Sequence, residues 1–186
     1  MKRTFDLVLA LLLLPFALPI VLVLAAVIRS TTAGPAIFRQ VRVGREGRPF
    51  VCLKLRTMRT DTLNAPSHEV GSSGVTSVGR VLRRTKLDEL PQLWNILLGE
   101  MSFVGPRPCL PSQTELIEAR RAYGLDAIRP GITGVSQVKG VDMSNPARLA
   151  ALDATYLDNM SLTNDLRLMA LTVFGAGRGD RLNASR

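Results

Sequence analysis

The chain contains few of the residues on which many binding and catalytic sites depend. Its aromatic residues are six Phe, two Tyr and one Trp among 186 residues, which is few for a protein that stacks nucleic-acid bases on aromatic rings. Cys52 and Cys109 are far apart and form no CxxC pair, so neither a zinc site nor a disulfide framework is predicted. The single histidine, His68, lies alone in a polar stretch, so no histidine triad or histidine metal cluster is available.

Acidic residues are also scarce. Fifteen Asp and Glu oppose 24 Lys and Arg, which gives a formal net charge of +9. Such a charge indicates an anionic partner, whether nucleic acid, a membrane surface or a phosphorylated substrate. Because aromatic residues are few, nucleic acid is not the partner that we expect. The length suits one domain with an appendage.

A long apolar run opens the chain. No charged residue lies between Leu7 and Ile28, and a straight helix of this length spans about 33 Å, against roughly 30 Å for the hydrocarbon core of a bilayer. Pro15 and Pro19 lie inside the run, where each removes an amide donor and favours a kink. Both flanks are basic, which favours the cytoplasmic side for both ends. The run therefore predicts either a straight transmembrane helix or a re-entrant helix that bends at the prolines and returns to the same leaflet.

The segment after this run is predicted to form a β-hairpin around Gly44 to Gly47. In its second arm, VCLKLR from 51 to 56, apolar residues at 51, 53 and 55 alternate with the others. We expect Lys54 and Arg56 on the face opposite the apolar one, either as a solvated surface or as cations directed at a site.

The remaining patterns indicate loops and helices. Segment 61–79 is rich in Ser, Thr and Gly and is predicted to be a mobile loop, and the tail at about 175–186 is predicted to be flexible. One helix is expected to begin near an Asp88 N-cap and to stop at Gly99. The others are expected to open at the capping-box pattern SQTE from 112 to 115, at Asn145 before a proline, and at about 163. The predicted fold class is mixed α/β, mostly helical, with a short β-hairpin and no large parallel sheet.

The stretch RRTKLDELPQLWNILLGEMSFVGPRP, residues 83–108, places cations directly before two adjacent carboxylates. Helix capping alone accounts for Asp88 and Glu89, but not for the two arginines and Lys86 immediately upstream. Arginine binds phosphate oxygens in a bidentate manner and lysine binds them as a point charge. A carboxylate can act as a nucleophile or hold Mg²⁺ together with substrate phosphates. The pattern therefore favours phosphate chemistry.

The chain resembles the bacterial sugar transferases, the small monotopic phosphoglycosyl transferases that begin glycan assembly on a polyprenyl-phosphate carrier. The similarity runs in order from the apolar N-terminus through PAIFRQVRVGREGRPFVCLKLRTM, LRRTKLDELPQLWNILLGEMSFVGPRP, IRPGITGVSQVKG and YLDNMSLTNDLRLM. It implies a re-entrant membrane helix at residues 1–30 and a cytosolic, membrane-associated catalytic domain at residues 31–186. The expected location is the cytoplasmic face of the bacterial inner membrane. The extra N-terminal spans of larger relatives are not expected.

The resemblance also implies a ping-pong reaction. The aspartate of the family's DE pair, which matches Asp88, attacks the β-phosphate of a UDP-sugar and releases UMP. The phosphosugar then passes to polyprenyl (undecaprenyl) phosphate. The matching glutamate, Glu89, is expected to assist, and Mg²⁺ is expected at Asp88 and the diphosphate.

Further substrate contacts are implied by the matched motifs. They include the arginine five residues before the nucleophile, the PRP loop near the nucleotide, the lysine of a KxR strand, and an N-terminal arginine where the lipid phosphate enters. The corresponding residues are Arg83, Pro106, Arg107, Pro108, Lys54 and Arg3.

One motif departs from the family's pattern. Relatives bend the membrane helix at a Ser-Pro pair, whereas this chain has Leu14 before Pro15, and leucine has no hydroxyl to satisfy freed backbone groups in lipid. Two alternatives remain beside the transferase. One is a basic binding module without catalysis, and the other is a UDP-sugar hydrolase that passes the same intermediate to water.

Overall fold

The computed structural model of the protein describes residues 1–62 and 74–175, and over these residues the fold is mostly helical. This confirms the predicted mixed α/β class with a long apolar N-terminal helix and a small β-hairpin. In chain order, the elements are α1 (Lys2–Thr31), β1 (Ile37–Val43), β2 (Pro49–Leu55), α2 (Ser77–Thr85), α3 (Gln92–Leu98), β3 (Ser102–Val104), α4 (Thr114–Ala122), β4 (Gly131–Thr133), α5 (Val135–Val138), α6 (Pro146–Asp158) and α7 (Leu162–Val173).

Helix α1 is apolar along its length and carries both prolines inside a single helical segment. Within the described residues it is the one helix long and apolar enough to cross a membrane. Its N-terminal end contacts the rest of the protein through an ion pair between Lys2 Nζ and Asp165 Oδ2 at 2.6 Å. Its C-terminal end does so through Ile28, which packs in a buried cluster with Leu55 and Leu82. The helix is therefore docked at both ends, and its re-entrant course in a membrane remains a prediction.

Strands β1 and β2 form the predicted antiparallel hairpin, in which Phe38 pairs with Lys54 and Val43 with Pro49. The assignment of its faces was only partly right. Val51 is exposed, whereas its neighbour Cys52 is buried, because the face that carries Cys52 packs against α3 in the main core. Lys54 lies on that same inward face. The alternation of residue types did not show which face the rest of the chain covers.

The Asp88 N-cap prediction is wrong. Residues Leu87–Glu89 form a separate 3₁₀ turn, and α3 begins at Gln92 with Pro91 as its N-cap residue. The cause lies at Lys86, whose left-handed backbone (φ 59°) ends α2 and turns the chain before the acidic pair. The predicted stop of α3 at Gly99 is confirmed, since Gly99 has φ 88°.

The other helix predictions have mixed outcomes. Asn145 caps α6 by accepting a hydrogen bond from the Arg148 amide, as predicted. The capping box at 112–115 does not form, because α4 has Gln113 as its N-cap residue and the Gln113 side chain instead accepts from the Leu110 amide. The loop predicted at 61–79 ends earlier than expected, since α2 begins at Ser77. Residues 63–73, with His68, and residues 176–186 lie outside the described residues.

Strands β3 and β4 form a short parallel pair in the protein interior, with Ser102 opposite Gly131 and Val104 opposite Thr133. All three residues of β3 are buried. The main core surrounds this pair and joins α1, β2, α3, α6 and α7; its fully or nearly fully buried members include Ala10, Cys52, Ile96, Met101, Val104 and Tyr156. Because β3 leads directly into the PRP loop, this core fixes the position of Arg107.

Candidate active site

The 3₁₀ turn of Leu87–Glu89 presents two carboxylates side by side between the β-hairpin and α3. Asp88 is 8% exposed, and the Glu89 side chain is 12% exposed. Buried carboxylates are stable as charged groups only when they are paired or hydrogen-bonded. The partners of this pair therefore define the site.

Two cations converge on one oxygen of Glu89. Lys54 Nζ of β2 lies 2.9 Å from Glu89 Oε1, and Arg107 Nη1 of the PRP loop lies 3.2 Å from the same oxygen. Three segments that are distant in sequence, namely β2, the 3₁₀ turn and the PRP loop, thus meet at one carboxylate. Both of these hydrogen bonds end on Glu89.

The electrostatic environment of Asp88 differs from that of Glu89. Burial raises the pKa of the Asp88 carboxyl above its ordinary value of 3.8; Lys54 and Arg107 oppose this shift and Glu89 adds to it. Arg83 also favours the ionised form of Asp88. A raised pKa on a carboxylate enclosed by cations is typical of functional sites.

Arg83 is positioned but not fully paired. Its Nε donates to Thr57 Oγ1 at 2.9 Å, which fixes the guanidinium beside the turn. Its buried Nη1 has no hydrogen-bond partner among the described residues. A buried arginine donor without an acceptor costs free energy, and a phosphate oxygen is a type of acceptor that arginine binds well.

The PRP loop is held by groups that the sequence patterns did not reveal. Arg120 Nη1 of α4 donates to the Arg107 carbonyl at 2.8 Å, and Arg120 Nη2 pairs with the buried Asp153 of α6 at 2.9 Å. Gly105 lies so close to the Arg129 carbonyl that an added Cβ would be 2.3 Å from it. Arg120 and Asp153 therefore act as positioning residues for Arg107, and the sequence signal for them is weak because 33 positions separate the pair.

Asn95 was also missed. It is 1% exposed and lies on the buried face of α3 with Gln92, Leu93 and Ile96. Its Oδ1 accepts from the Leu53 amide at 3.0 Å, and its Nδ2 donates to the Val51 carbonyl at 2.8 Å. An asparagine close to the apolar residues Leu93 and Ile96 was the available clue, since a buried amide needs hydrogen-bond partners. Asn95 ties β2, and with it Lys54, to the helix that follows the acidic pair.

The remaining predicted contact residues take part in hydrogen bonds with the backbone or with Arg42. Pro106 is buried and its carbonyl accepts from the Gly131 amide at 2.9 Å, and the Pro108 carbonyl accepts from Arg42 Nη1 at 3.0 Å. Both prolines therefore shape the loop. Arg3 donates to the Ile96 carbonyl at 2.8 Å, at the end of α3, so its role toward a lipid phosphate remains a prediction.

Arg56 does not join Lys54 at the site. It is buried and donates to the Thr32 carbonyl at 2.9 Å and the Ala33 carbonyl at 2.7 Å. These carbonyls lie at the C-terminal end of α1, where a cation is favourable. Arg56 therefore has a structural role, and the hypothesis that it is a cation of the site is wrong.

The acidic pair fits a magnesium ion shared with a substrate. No group of three or more His, Cys, Asp and Glu side chains lies together in the described part of the chain, so these residues form no cage that encloses a metal. Mg²⁺ usually binds one or two carboxylates beside substrate phosphates and water. Because Glu89 is paired with two cations, Asp88 is the better donor of the two.

The cysteines take no part in this chemistry. Cys52 and Cys109 are both free and buried. Burial raises the pKa of each thiol above its ordinary value, and a buried thiol with a raised pKa is a poor nucleophile.

The fold and the site define a protein with a membrane-length helix docked beside a cation-enclosed carboxylate pair, an arrangement suited to phosphorylated ligands. Residues 1–178 match the model of the bacterial sugar transferase family. The chain belongs to that family.

Several relatives are similar over nearly the whole chain. It is 41% identical over 182 residues to the UDP-glucose:undecaprenyl-phosphate glucose-1-phosphate transferase of Caulobacter vibrioides, which covers 92% of this chain and 68% of the relative. It is 35% identical over 189 residues to the exopolysaccharide production protein ExoY of Rhizobium meliloti, covering 92% and 83%. It is 38% identical over 191 residues to the UDP-galactose-lipid carrier transferase of Erwinia amylovora, of which it spans only 39%.

Proposed function

We propose that the protein transfers a sugar 1-phosphate from a UDP-sugar to polyprenyl phosphate. The products are UMP and a polyprenyl-diphosphate-linked sugar, the starting unit of a membrane-assembled glycan. The observation that carries this proposal is the Asp88–Glu89 pair with Lys54 and Arg107 converging on Glu89. The names of the relatives support UDP-glucose or UDP-galactose as the donor and undecaprenyl phosphate as the acceptor.

In the first half-reaction, an Asp88 carboxylate oxygen attacks the β-phosphorus of the UDP-sugar. The bond between this phosphorus and the bridging oxygen breaks, and the electron pair leaves on UMP. The product is a phosphosugar joined to Asp88 as an acyl phosphate. The burial of Asp88 supports this role, because a desolvated carboxylate is a stronger nucleophile than a hydrated one.

In the second half-reaction, a phosphate oxygen of polyprenyl phosphate attacks the same phosphorus. The bond to Asp88 breaks, the carboxylate returns to its original form, and the new bond completes the lipid diphosphate. Glu89 holds Lys54 and Arg107 beside the reacting phosphorus. Arg83, whose Nη1 has no partner in the described part of the chain, is suited to bind a phosphate oxygen that carries developing charge.

Magnesium at Asp88 and the diphosphate would neutralise phosphate charge and favour the departure of UMP. The protein's own cations perform part of the same task. An anionic nucleophile that approaches an anionic diphosphate needs such compensation, and the site supplies three cationic side chains for it.

We also propose a re-entrant, monotopic arrangement at the cytoplasmic face of the inner membrane. The docking of α1 supports the re-entrant course, and the basic flanks of the apolar run support the cytoplasmic side. Lys2 at one end pairs with Asp165, and Thr32 just beyond the other end accepts a hydrogen bond from Arg56. A straight transmembrane helix would place these two ends on opposite sides of the bilayer, whereas both contact the same domain. Between the ends, exposed apolar side chains are available to lipid; they are Val8, Leu11, Leu12, Leu13, Phe16, Leu18, Ile20, Leu22, Val23 and Val27.

The proposal is tested with the full chain in lipid nanodiscs, Mg²⁺, labelled UDP-glucose or UDP-galactose, and undecaprenyl phosphate. We expect label in the lipid fraction and UMP in equal amount, both absent in Asp88→Asn. Release of sugar phosphate to water that persists unchanged when acceptor is present would instead support a hydrolase. A protein that binds these ligands without consuming them would contradict catalysis.

A further inference from the structure

A large groove lies between α1 and α7, next to the acidic pair. Its volume is about 620 Å³, and its walls include Leu13, Phe16 and Ile20 of α1 and Met169, Val173 and Phe174 at the end of α7. We call it the α1–α7 groove. This volume lies within the range of roughly 300–1,000 Å³ found for small-ligand sites.

The groove is polar at one end only. Its charged lining residues are Arg84, Lys86 and Glu89, all from the segment that carries the candidate nucleophile. The rest of its lining is apolar apart from three threonines. The lining is charged near the site, where phosphate chemistry is proposed, and apolar near the aromatic residues of α1 and α7.

The three threonines do not provide a polar binding surface. Thr133 and Thr172 are hydrogen-bonded to each other through their hydroxyls, and the Thr85 hydroxyl donates to the Val81 carbonyl of its own helix at 2.9 Å. A nucleotide or sugar needs several partners for its hydroxyl and carbonyl groups. The apolar part of the groove is therefore suited to hydrocarbon rather than to the UDP-sugar.

We infer that the α1–α7 groove binds the first isoprenoid units of the acceptor lipid, with the lipid phosphate at the Arg84–Lys86–Glu89 end rather than at Arg3, which does not line the groove. This inference rests on the proposed function, since it takes the acceptor from it. An amphiphile with an anionic head and a hydrocarbon tail matches the groove in both charge and polarity. The tail then passes between Phe16 and Phe174, which are 73% and 86% exposed, and continues into the bilayer.

This assignment gives α7 a role in acceptor binding. Helix α7 is fixed to the N-terminus of α1 by the Lys2–Asp165 pair, and Asp165 also accepts from the hydroxyl of Tyr156. The two walls of the groove are thus joined by one part-buried ion pair.

The test compares three acceptors with the same phosphate and different chains: dimethylallyl, farnesyl and undecaprenyl phosphate. Each is assayed in nanodiscs at matched mole fractions with the wild type, with Phe16→Ala/Phe174→Ala, and with the control Leu12→Ala. Leu12 is 63% exposed on α1 and does not line the groove. All three substituted residues are exposed, so the fold should tolerate each change.

For the wild type we expect the KM for acceptor to fall from dimethylallyl to farnesyl phosphate, as the groove fills. The double variant should raise the KM for farnesyl phosphate by about tenfold, since it removes two apolar contacts, whereas Leu12→Ala should leave it unchanged within about twofold. Equal KM values for all chain lengths, or equal effects of the double variant and the control, would overturn the groove assignment. A wild type that makes no lipid product with any acceptor would instead overturn the proposed function.

Discussion

Asp88 and Glu89 are adjacent in sequence but have different surroundings, and this difference assigns their roles. Glu89 is committed to Lys54 and Arg107 through direct hydrogen bonds. Asp88 is more deeply buried, and its pKa is raised mainly by that burial. A carboxylate that is desolvated but not locked into a direct ion pair with these two cations is the one that can attack phosphorus.

The first prediction concerns the pH dependence of UMP release. Because the proposed mechanism requires Asp88 to attack as a carboxylate, the burst rate should fall at acidic pH along a limb centred above the ordinary aspartate value of 3.8. Glu89→Gln removes a negative charge that raises the pKa of Asp88, and it leaves Lys54 and Arg107 available to Asp88. The limb should therefore move to lower pH in a quench-flow profile. The matched control Glu115→Gln, on the exposed start of α4, should leave the limb in place, and an unmoved limb in Glu89→Gln would contradict the coupling.

The second prediction concerns stability. Since the folded-state pKa of Asp88 is raised, the fold favours the protonated form, and the stabilisation that this provides below the unfolded pKa is lost as pH rises through the folded pKa. Asp88→Asn should therefore unfold at a higher temperature than the wild type at neutral pH. The difference in unfolding temperature between the variant and the wild type should disappear below about pH 4. Thermal unfolding in detergent at a series of pH values measures it. A variant that is less stable at neutral pH would show that ionised Asp88 stabilises the fold.

Among the elements of the fold, helices α4 and α6 contribute no side chain to the acidic pair or to the two cations bound to Glu89, yet they determine where Arg107 lies. Arg120 and Asp153 form a buried pair, with side chains 9% and 2% exposed. Removing one member of such a pair leaves a buried charge without a partner, which costs far more than the loss of an exposed pair.

The third prediction follows from this contrast. Asp153→Ala should lower the free energy of unfolding by about 3 kcal/mol or more, and it should slow the UMP burst because the Arg107 loop loses its support. The matched control is Asp126→Ala, which removes the partner of Arg121 in an exposed pair at 4.0 Å and should cost less than about 1 kcal/mol. Denaturant titration with the burst assay measures both effects. If the two variants lost the same amount of burst rate, the buried pair would not act on the loop.

Elements that depend on local signals were predictable from the sequence. The hairpin and the Asn145 cap of α6 are set by residues a few positions apart. The start of α3 was not predictable, because it depends on the left-handed backbone of Lys86, and this conformation is uncommon for residues other than glycine. The inward face of β2 was not either, since burial of Cys52 depends on α3 packing against it. Contacts over long sequence separations, such as Arg120 with Asp153, give no periodic signal.

For the molecule as a whole, the central question is how α1 lies relative to the domain and the bilayer. Both of its ends contact the domain, and most of its remaining surface is apolar and exposed. The sequence left the straight and re-entrant courses open because composition and length are the same for both.

The fourth prediction tests the membrane arrangement. Thr4 and Ala33 flank the apolar run and are exposed, whereas the native cysteines are buried and should label slowly. Single Thr4→Cys and Ala33→Cys variants in sealed vesicles should both react with an impermeant maleimide from the same side. If the two cysteines were labelled only from opposite sides of the membrane, the result would contradict the re-entrant course and indicate a straight span.

The proposed mechanism requires that Asp88 carries a covalent phosphosugar. The most direct measurement mixes the purified chain with Mg²⁺ and UDP-glucose or UDP-galactose without acceptor, follows UMP release, and maps the adduct by mass spectrometry. We expect a burst stoichiometric with enzyme, a phosphosugar on Asp88, and a loss of roughly 10⁴-fold or more in Asp88→Asn, the scale seen when other covalent catalysts lose their nucleophile. Turnover only when acceptor is present, with no burst and no adduct, would contradict the claim and leave Asp88 as a metal ligand in a direct transfer.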